Sequence, residues 1–305
     1  YAGCIRKAGL AVFWILLVSG AGAACAAKPV AVFVSIAPQA YLVERIGGDR
    51  VAVETLVGPG REPHDYEPTP RQMARLTRAR LFFRIGLPFE TVILKKIATA
   101  FPDLTIVDTR RNVPLRYFAT DAHDGGGRGG HGRGGGQTPD PHIWMSPRLM
   151  KIQAETIGAA LVRVDPGGAD LYRRNLRALN DDLDRLDRTL AARLAPWRGG
   201  RFYVFHPAFG YFGDAYGLTQ VPVELEGKEP SARQLARLIR SAKRDGVRMI
   251  FVQPQFARKK AEAVARQIGG ICVPLDPLAA DSLSNLEHIA SALEKGVVRG
   301  TGGRP

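Results

Sequence analysis

Residues Ala169 to Leu194 read ADLYRRNLRALNDDLDRLDRTLAARL. The apolar positions Tyr172, Leu176, Leu179, Leu183, Leu186, Leu190 and Leu194 recur at intervals of three and four, and the residues between them are mostly Asp and Arg. That spacing predicts one long helix with a single apolar stripe on an otherwise solvated surface. The stripe must be covered, either by a second copy in a coiled coil or by the body of the same chain. It is short for an autonomous coiled coil, so the prediction is a single helix lying across the body of the protein.

On both sides of this helix, β-rich apolar runs alternate with amphipathic stretches. Before it, Val30–Ser35, Val51–Val57, Leu81–Ile85 and Leu104–Asp108 read as strands, and Pro38–Ile46, Arg71–Arg80, Phe89–Ala100 and Pro147–Val164 as helices. After it, Phe202–Phe205, Val221–Leu225, Met249–Val252 and Ile271–Leu275 read as strands, with helices over Arg233–Arg244, Ala257–Ile268 and Leu283–Val297. Such alternation predicts parallel sheets covered by helices on both faces. The fold class is therefore α/β, with two lobes bridged by one long helix. The expected division is a leader over 1–27, an N-terminal lobe over 28–168, the connecting helix over 169–195 and a C-terminal lobe over 196–305. The stretch 121–139 is dominated by glycine and cannot bury a core, so it is expected to be a loop.

The N-terminus has the pattern of a secretory signal peptide. Arg6 and Lys7 precede the apolar run Ala8 to Val18, and small residues follow from Ser19 to Ala27. The run is too short for a comfortable membrane span, which predicts an extracytoplasmic protein. Cys25 follows Gly22-Ala23-Ala24, a partial lipoprotein box without the usual aliphatic residue, so cleavage at an Ala-x-Ala site is preferred over a lipid anchor. Only three cysteines occur, Cys4, Cys25 and Cys272, and no disulfide framework is encoded. The formal net charge is +14, but arginine is spread along the helices instead of forming one tract, which argues against nucleic-acid binding.

The chemistry lies in the histidines, of which there are six. Three sit beside proline at strand or loop ends: His64 in Glu62-Pro63-His64-Asp65, His142 in Asp140-Pro141-His142-Ile143, and His206 in Phe205-His206-Pro207. Asp276, in Leu275-Asp276-Pro277, directly follows an apolar strand. In open α/β sheets the ligand crevice lies beyond the carboxyl ends of the strands, and proline neighbours stiffen the backbone there. Three neutral imidazoles and one carboxylate suit tetrahedral zinc. Taken singly, each residue has a plainer reading. A strand-end histidine is commonly a hydrogen-bonded structural residue, and Asp before Pro commonly starts a turn. His288 falls within a helix and is assigned no ligand role. His123 and His131, in the glycine-rich stretch, are too few for a strong site of their own.

Together these segments resemble a known family. Gly58-Pro59-Gly60-Arg61-Glu62-Pro63-His64-Asp65-Tyr66-Glu67-Pro68, Asp140-Pro141-His142-Ile143-Trp144-Met145-Ser146-Pro147 and Phe205-His206-Pro207-Ala208-Phe209-Gly210-Tyr211 are similar to the three histidine motifs of the zinc/manganese receptors of bacterial ABC importers. Glu226-Gly227-Lys228-Glu229-Pro230-Ser231 and Leu275-Asp276-Pro277-Leu278 resemble two further signatures, in order, over about residues 30 to 298.

The resemblance implies one metal ion held between the lobes, by His64 and His142 from the first and by His206 and Asp276 from the second. Some members use a glutamate immediately before the first histidine. Here that position is Pro63, which leaves Asp276 as the fourth ligand and Glu62 as an outside alternative. The family's zinc members often carry a histidine-rich loop before the second histidine motif, and this chain's loop is poor in histidine. The expected cargo is Zn2+ ahead of Mn2+ or iron, because the manganese receptors tend to place a carboxylate where His206 stands and manganese prefers oxygen donors. The implied partner is the membrane permease of the importer, with the receptor itself a monomer.

Two other classes share some of these residues. A zinc hydrolase or lyase would use three histidines, an open coordination position and a general base such as Glu229. The sequence lacks a helical His-Glu-x-x-His pair, and Asp276 would close the site. A surface adhesin of the same fold is separated poorly by sequence. The expectation is therefore a binding protein, not an enzyme.

Overall fold

The computed structural model describes residues 28–118, 138–224, 230–256 and 258–299. The leader with Cys4 and Cys25, most of the glycine-rich stretch with His123 and His131, and Glu226 to Glu229 lie outside the described residues.

The N-terminal half alternates β1 (Val30–Val34), α1 (Ala37–Gly47), β2 (Val51–Thr55), α2 (Pro70–Leu76), β3 (Leu81–Arg84), α3 (Pro88–Ala100) and β4 (Thr105–Asp108). Two helices follow, α4 (Pro147–Val164) and α5 (Ala169–Leu194). The C-terminal half then alternates β5 (Arg201–Val204), α6 (Gly210–Tyr216), β6 (Thr219–Pro222), α7 (Ala232–Arg244), β7 (Met249–Val252), α8 (Arg258–Ile268), β8 (Ile271–Pro274) and α9 (Ser282–Gly296). The strands form two parallel four-stranded sheets, ordered β2-β1-β3-β4 and β6-β5-β7-β8. The α/β class and the parallel pairing follow the sequence expectation. Both sheets start at an inner strand and wind outward in both directions, so each has a crevice beyond its strand ends where the winding reverses.

Helix α5 spans 26 residues and buries Tyr172, Leu179, Leu183, Leu186, Leu190 and Leu194. It packs on α1, α4, α6 and α9 of the same chain, so the stripe is covered internally and no coiled-coil partner is needed. Its charged flanks are tied to those neighbours. Arg45 reaches Asp182 at 2.6 Å, Lys151 reaches Asp184 at 2.6 Å, and Arg193 on α5 reaches Glu294 at 2.8 Å. One continuous apolar core joins the N-terminal sheet to α5, α6 and α9, and a second core lies between the outer face of the C-terminal sheet and α7 and α8.

Beyond shifts of one or two residues at other element ends, three elements differ from the sequence expectation. Helix α2 ends at Leu76 instead of Arg80, because the chain must turn into β3. The strand expected over Val221–Leu225 lies at Thr219–Pro222. Helix α6 was not foreseen; it ends at Gly217, whose positive φ of 72° forms a left-handed cap.

Candidate metal centre

His64 hangs on the connection between β2 and α2. That connection is pinned at both ends. Tyr66 Oη and Gln72 Nε2 both reach Leu56 O, and the Thr69/Gln72 capping box starts α2 on Pro70. Close to the imidazole, Glu62 Oε1 accepts the His64 backbone N–H at 2.9 Å. His142 stands just before a single 3-10 turn that leads into α4. Asp140, fully buried, accepts from both its backbone N–H at 3.0 Å and its ring Nδ1 at 2.7 Å. His206 follows β5, at the point where the second sheet's winding reverses. Its Nδ1 lies 2.6 Å from Glu224 Oε1, and its backbone is clamped both ways by the Gln253 amide. The Phe256 ring stacks on its imidazole at 4.7 Å.

The three rings converge. Their centroids are 4.9 to 5.7 Å apart, and one ligand nitrogen from each lies within 4.8 Å of the other two. His64 Nε2 and His206 Nε2 are buried with no hydrogen-bond partner. Buried polar atoms are nearly always satisfied, so a converging pair left open marks a site built for an electrophile. With Nδ1 of His142 and His206 held by carboxylates, the lone pair of each ring is directed through Nε2, the arrangement that orients imidazole toward a metal. The space between the rings is a cavity of about 10 Å³, room for one ion or water.

Burial, reinforced by the neighbouring imidazoles, pushes the His64 pKa down to about 2 and that of His206 well below the ordinary histidine value. His64 and His206 are thus held neutral, which is the form that ligates. Burial acts oppositely on Glu62, raising it to about 6.

A stability consequence follows. An unfolded histidine takes up its proton near pH 6.5, whereas folded His64 refuses it until far lower pH. The unfolded chain therefore binds more protons, and the metal-free protein should lose stability as pH falls below about 6.5 and level off above it. Glu62 works the other way between about pH 6 and 4.5, because the folded carboxyl protonates first. Thermal midpoints of chelator-treated wild type and His64→Gln, taken from about pH 7.5 to 5, should show a shallower acid decline in the variant. Parallel declines would contradict the neutral assignment.

Asp276 is the predicted residue that the structure does not bring into the cluster. It follows β8 as expected, but its Oδ1 accepts from Leu278 N at 2.9 Å and from Gln255 Nε2 at 2.8 Å. It lines a separate, neighbouring cavity of about 200 Å³. The carboxylate in the wall of the three-histidine cavity is Glu62, and its Oε2 is buried with no partner. His288 is exposed on α9, away from the cluster.

Sequence reasoning missed the carboxylates behind the rings. Asp140 was readable in the Asp-Pro-His triplet, two residues before its histidine, but Glu224 is 18 residues from His206 and left no local signal. Contacts across the lobes were missed as well: Trp144 Nε1 donates to Pro277 O at 2.7 Å and Tyr211 Oη to Asp140 O at 3.1 Å, beside the site.

Comparison with known proteins gives the same direction. Residues 32–296 match the family described as zinc-uptake complex component A, periplasmic. The high-affinity zinc uptake system protein ZnuA of Bacillus subtilis is 31% identical over 238 residues, covering 76% of this chain and 73% of that one. A crystal structure of ZnuA superposes with a TM-score of 0.80 at 40% identity, over 88% of this chain and 99% of the other. A ZnuA deletion mutant crystallised with zinc bound gives 0.79 at 38% identity, over 91% and 100%.

Proposed function

This chain belongs to the family of periplasmic components of zinc-uptake complexes, and we propose from that premise that His64, His142 and His206 are the ligands through which it captures its zinc ion. The protein is an extracytoplasmic zinc-binding receptor serving an ABC-type importer. The observation that carries the ligand assignment is the convergence of three imidazoles, His142 and His206 buried and His64 half-buried, whose ligand atoms lie within 4.8 Å of one another. Two of them are braced by Asp140 and Glu224. A set of three nitrogens and one carboxylate favours zinc over manganese, which prefers oxygen.

The same geometry supports capture over catalysis. A zinc hydrolase needs an open coordination position and space for a substrate, and a cavity of about 10 Å³ takes an ion and excludes a substrate. We take the receptor to be a monomer that hands zinc to the importer's membrane permease, and α5 burying its stripe within its own chain supports the monomer. The leader pattern of residues 1–27 is the export signal that brings it there, with Ala-x-Ala cleavage preferred over a lipid at Cys25.

The fourth position goes to Glu62. Glu62 lines the three-histidine cavity and its Oε2 is buried without a partner, whereas Asp276 lines the neighbouring cavity and its Oδ1 is engaged by Gln255 and Leu278. Glu62→Gln should weaken zinc binding by roughly tenfold or more, and Asp276→Asn by less, in competition with a chromophoric chelator. The reverse order would return the fourth position to Asp276.

A further inference from the structure

Along the sequence the cations look dispersed, but the fold gathers them. Residues 231–267 carry ten Lys/Arg and two Asp/Glu. Both acids are already engaged, Asp245 with Arg201 and Tyr203, and Glu262 with Arg258. This segment supplies α7 and α8, which pack against the outer face of the C-terminal sheet, away from α5. Its ten cationic side chains are all exposed. Residues 276–296, which include α9 on the face toward α5, carry four Asp/Glu and one Lys. The C-terminal lobe is therefore polarised, unlike α5, where Asp and Arg alternate along one solvated surface.

Helix α7 itself contains no acidic residue. Arg233, Arg237, Arg240 and Arg244 are spaced by four, three and four, which at 100° per residue sets them in one line on one side, about 16 Å long. Among the described residues none of the four makes an ion pair. Arg237, Arg240 and Arg244 also line an open groove of about 600 Å³ between α7 and the edge strand β6, floored by Val221 and Val223.

We propose that the α7 face of this protein, with Arg233, Arg237, Arg240 and Arg244 at its centre, docks electrostatically on an anionic phospholipid membrane surface. A straight row of guanidiniums on one helix matches a flat sheet of phosphates, which each planar fork contacts through two hydrogen bonds. Clustered Lys/Arg near an anionic leaflet bind additively and over a short range.

A protein partner would call for buried aromatic or aliphatic anchors, and a single-stranded nucleic acid for aromatic stacking platforms. The exposed large apolar residues among the described ones are Val92, Tyr117 and Ile271, none of them on α7. Val221 and Val223 lie half-buried and buried in the groove floor, so what the face presents outward is charge. Docking would hold the receptor beside the membrane in which its permease sits, and it does not require bound zinc.

The test is co-sedimentation of the zinc-loaded chain with vesicles of pure phosphatidylcholine and of phosphatidylcholine mixed with phosphatidylglycerol. The readout is the salt-sensitive part of binding, because the apolar run Ala8–Val18 would bind without regard to salt. Wild type should partition onto the mixed vesicles at low salt and release near physiological salt, where screening extends over about 8 Å. The variant carrying Arg233→Gln, Arg237→Gln, Arg240→Gln and Arg244→Gln should lose at least tenfold of that partition while keeping its zinc. A control with Arg71→Gln, Arg75→Gln, Arg78→Gln and Arg80→Gln removes the same charge from the N-terminal half and should lose far less. Equal losses would show that net charge alone acts, and would overturn the proposal. So would salt-sensitive retention on single-stranded DNA with no binding to anionic vesicles. Zinc titration of each variant separates any of these results from failure of the receptor assignment.

Discussion

Replacing His206 with alanine is expected to abolish the rise in unfolding midpoint that zinc produces. A ligand that binds only the folded state at a hundred times its dissociation constant adds about 2.7 kcal/mol. Removing one of three converging imidazoles should cost more affinity than the roughly 10–100-fold typical of losing a supporting partner. The metal-free protein should also suffer, because His206 is buried and its Nδ1 is the partner of Glu224. Losing a hydrogen bond to a charged group typically costs about 1.5–3 kcal/mol. The diagnostic quantity is therefore the difference between zinc-loaded and chelated midpoints, which should collapse in the variant. A preserved zinc response on top of a lowered metal-free midpoint would make His206 structural only.

Leu183→Ala should have the largest effect on folding with the least on metal. Leu183 is fully buried at the middle of the α5 stripe. Truncating such a leucine typically costs 2–5 kcal/mol through lost transfer energy and the cavity left behind. That is a large part of the about 5–15 kcal/mol available to an ordinary protein. Chemical denaturation should show the loss, with zinc per chain unchanged in the folded fraction. The midpoint should not vary with protein concentration, because the stripe packs within one chain. A concentration-dependent midpoint would revive the coiled-coil reading.

The same helix shows what a sequence can reveal. Its stripe was legible because each apolar residue answers to the one three or four positions away, a local rule that burial then obeyed at Tyr172, Leu179, Leu183, Leu186, Leu190 and Leu194. Helix α6 obeys no such rule. It is glycine-rich and aromatic, and Tyr211, Phe212 and Tyr216 are all buried, so it has little polar face to set a period. The end of α2 was illegible for another reason. Thr77-Arg78-Ala79-Arg80 could continue a helix, and only the demand that Leu81 join the sheet stops it.

At the site, the three histidines were readable because each sits beside proline at a strand or loop end. The carboxylates that hold their rings depend on tertiary contact, and only Asp140 lay close enough in sequence to be noticed. Asp276 and Glu62 show how narrow the margin is. Each accepts a backbone N–H two residues onward, the plain turn-forming use of such a side chain. What separates them is place: Glu62 lines the three-histidine cavity with its Oε2 buried and unpartnered, while Asp276 lines the neighbouring cavity and its Oδ1 accepts from Gln255 as well. No local pattern encodes that difference.

The central claim is that one zinc ion is held by His64, His142 and His206 together. Its most direct measurement is competitive titration of the wild-type chain, and of the chain carrying His64→Ala, His142→Ala and His206→Ala, against a chromophoric zinc chelator of known affinity. The account predicts one tight zinc per wild-type chain and none in the triple variant, with the variant still folded by circular dichroism. A tight zinc site that survives in the folded triple variant, or a wild-type chain with no tight site, would contradict it.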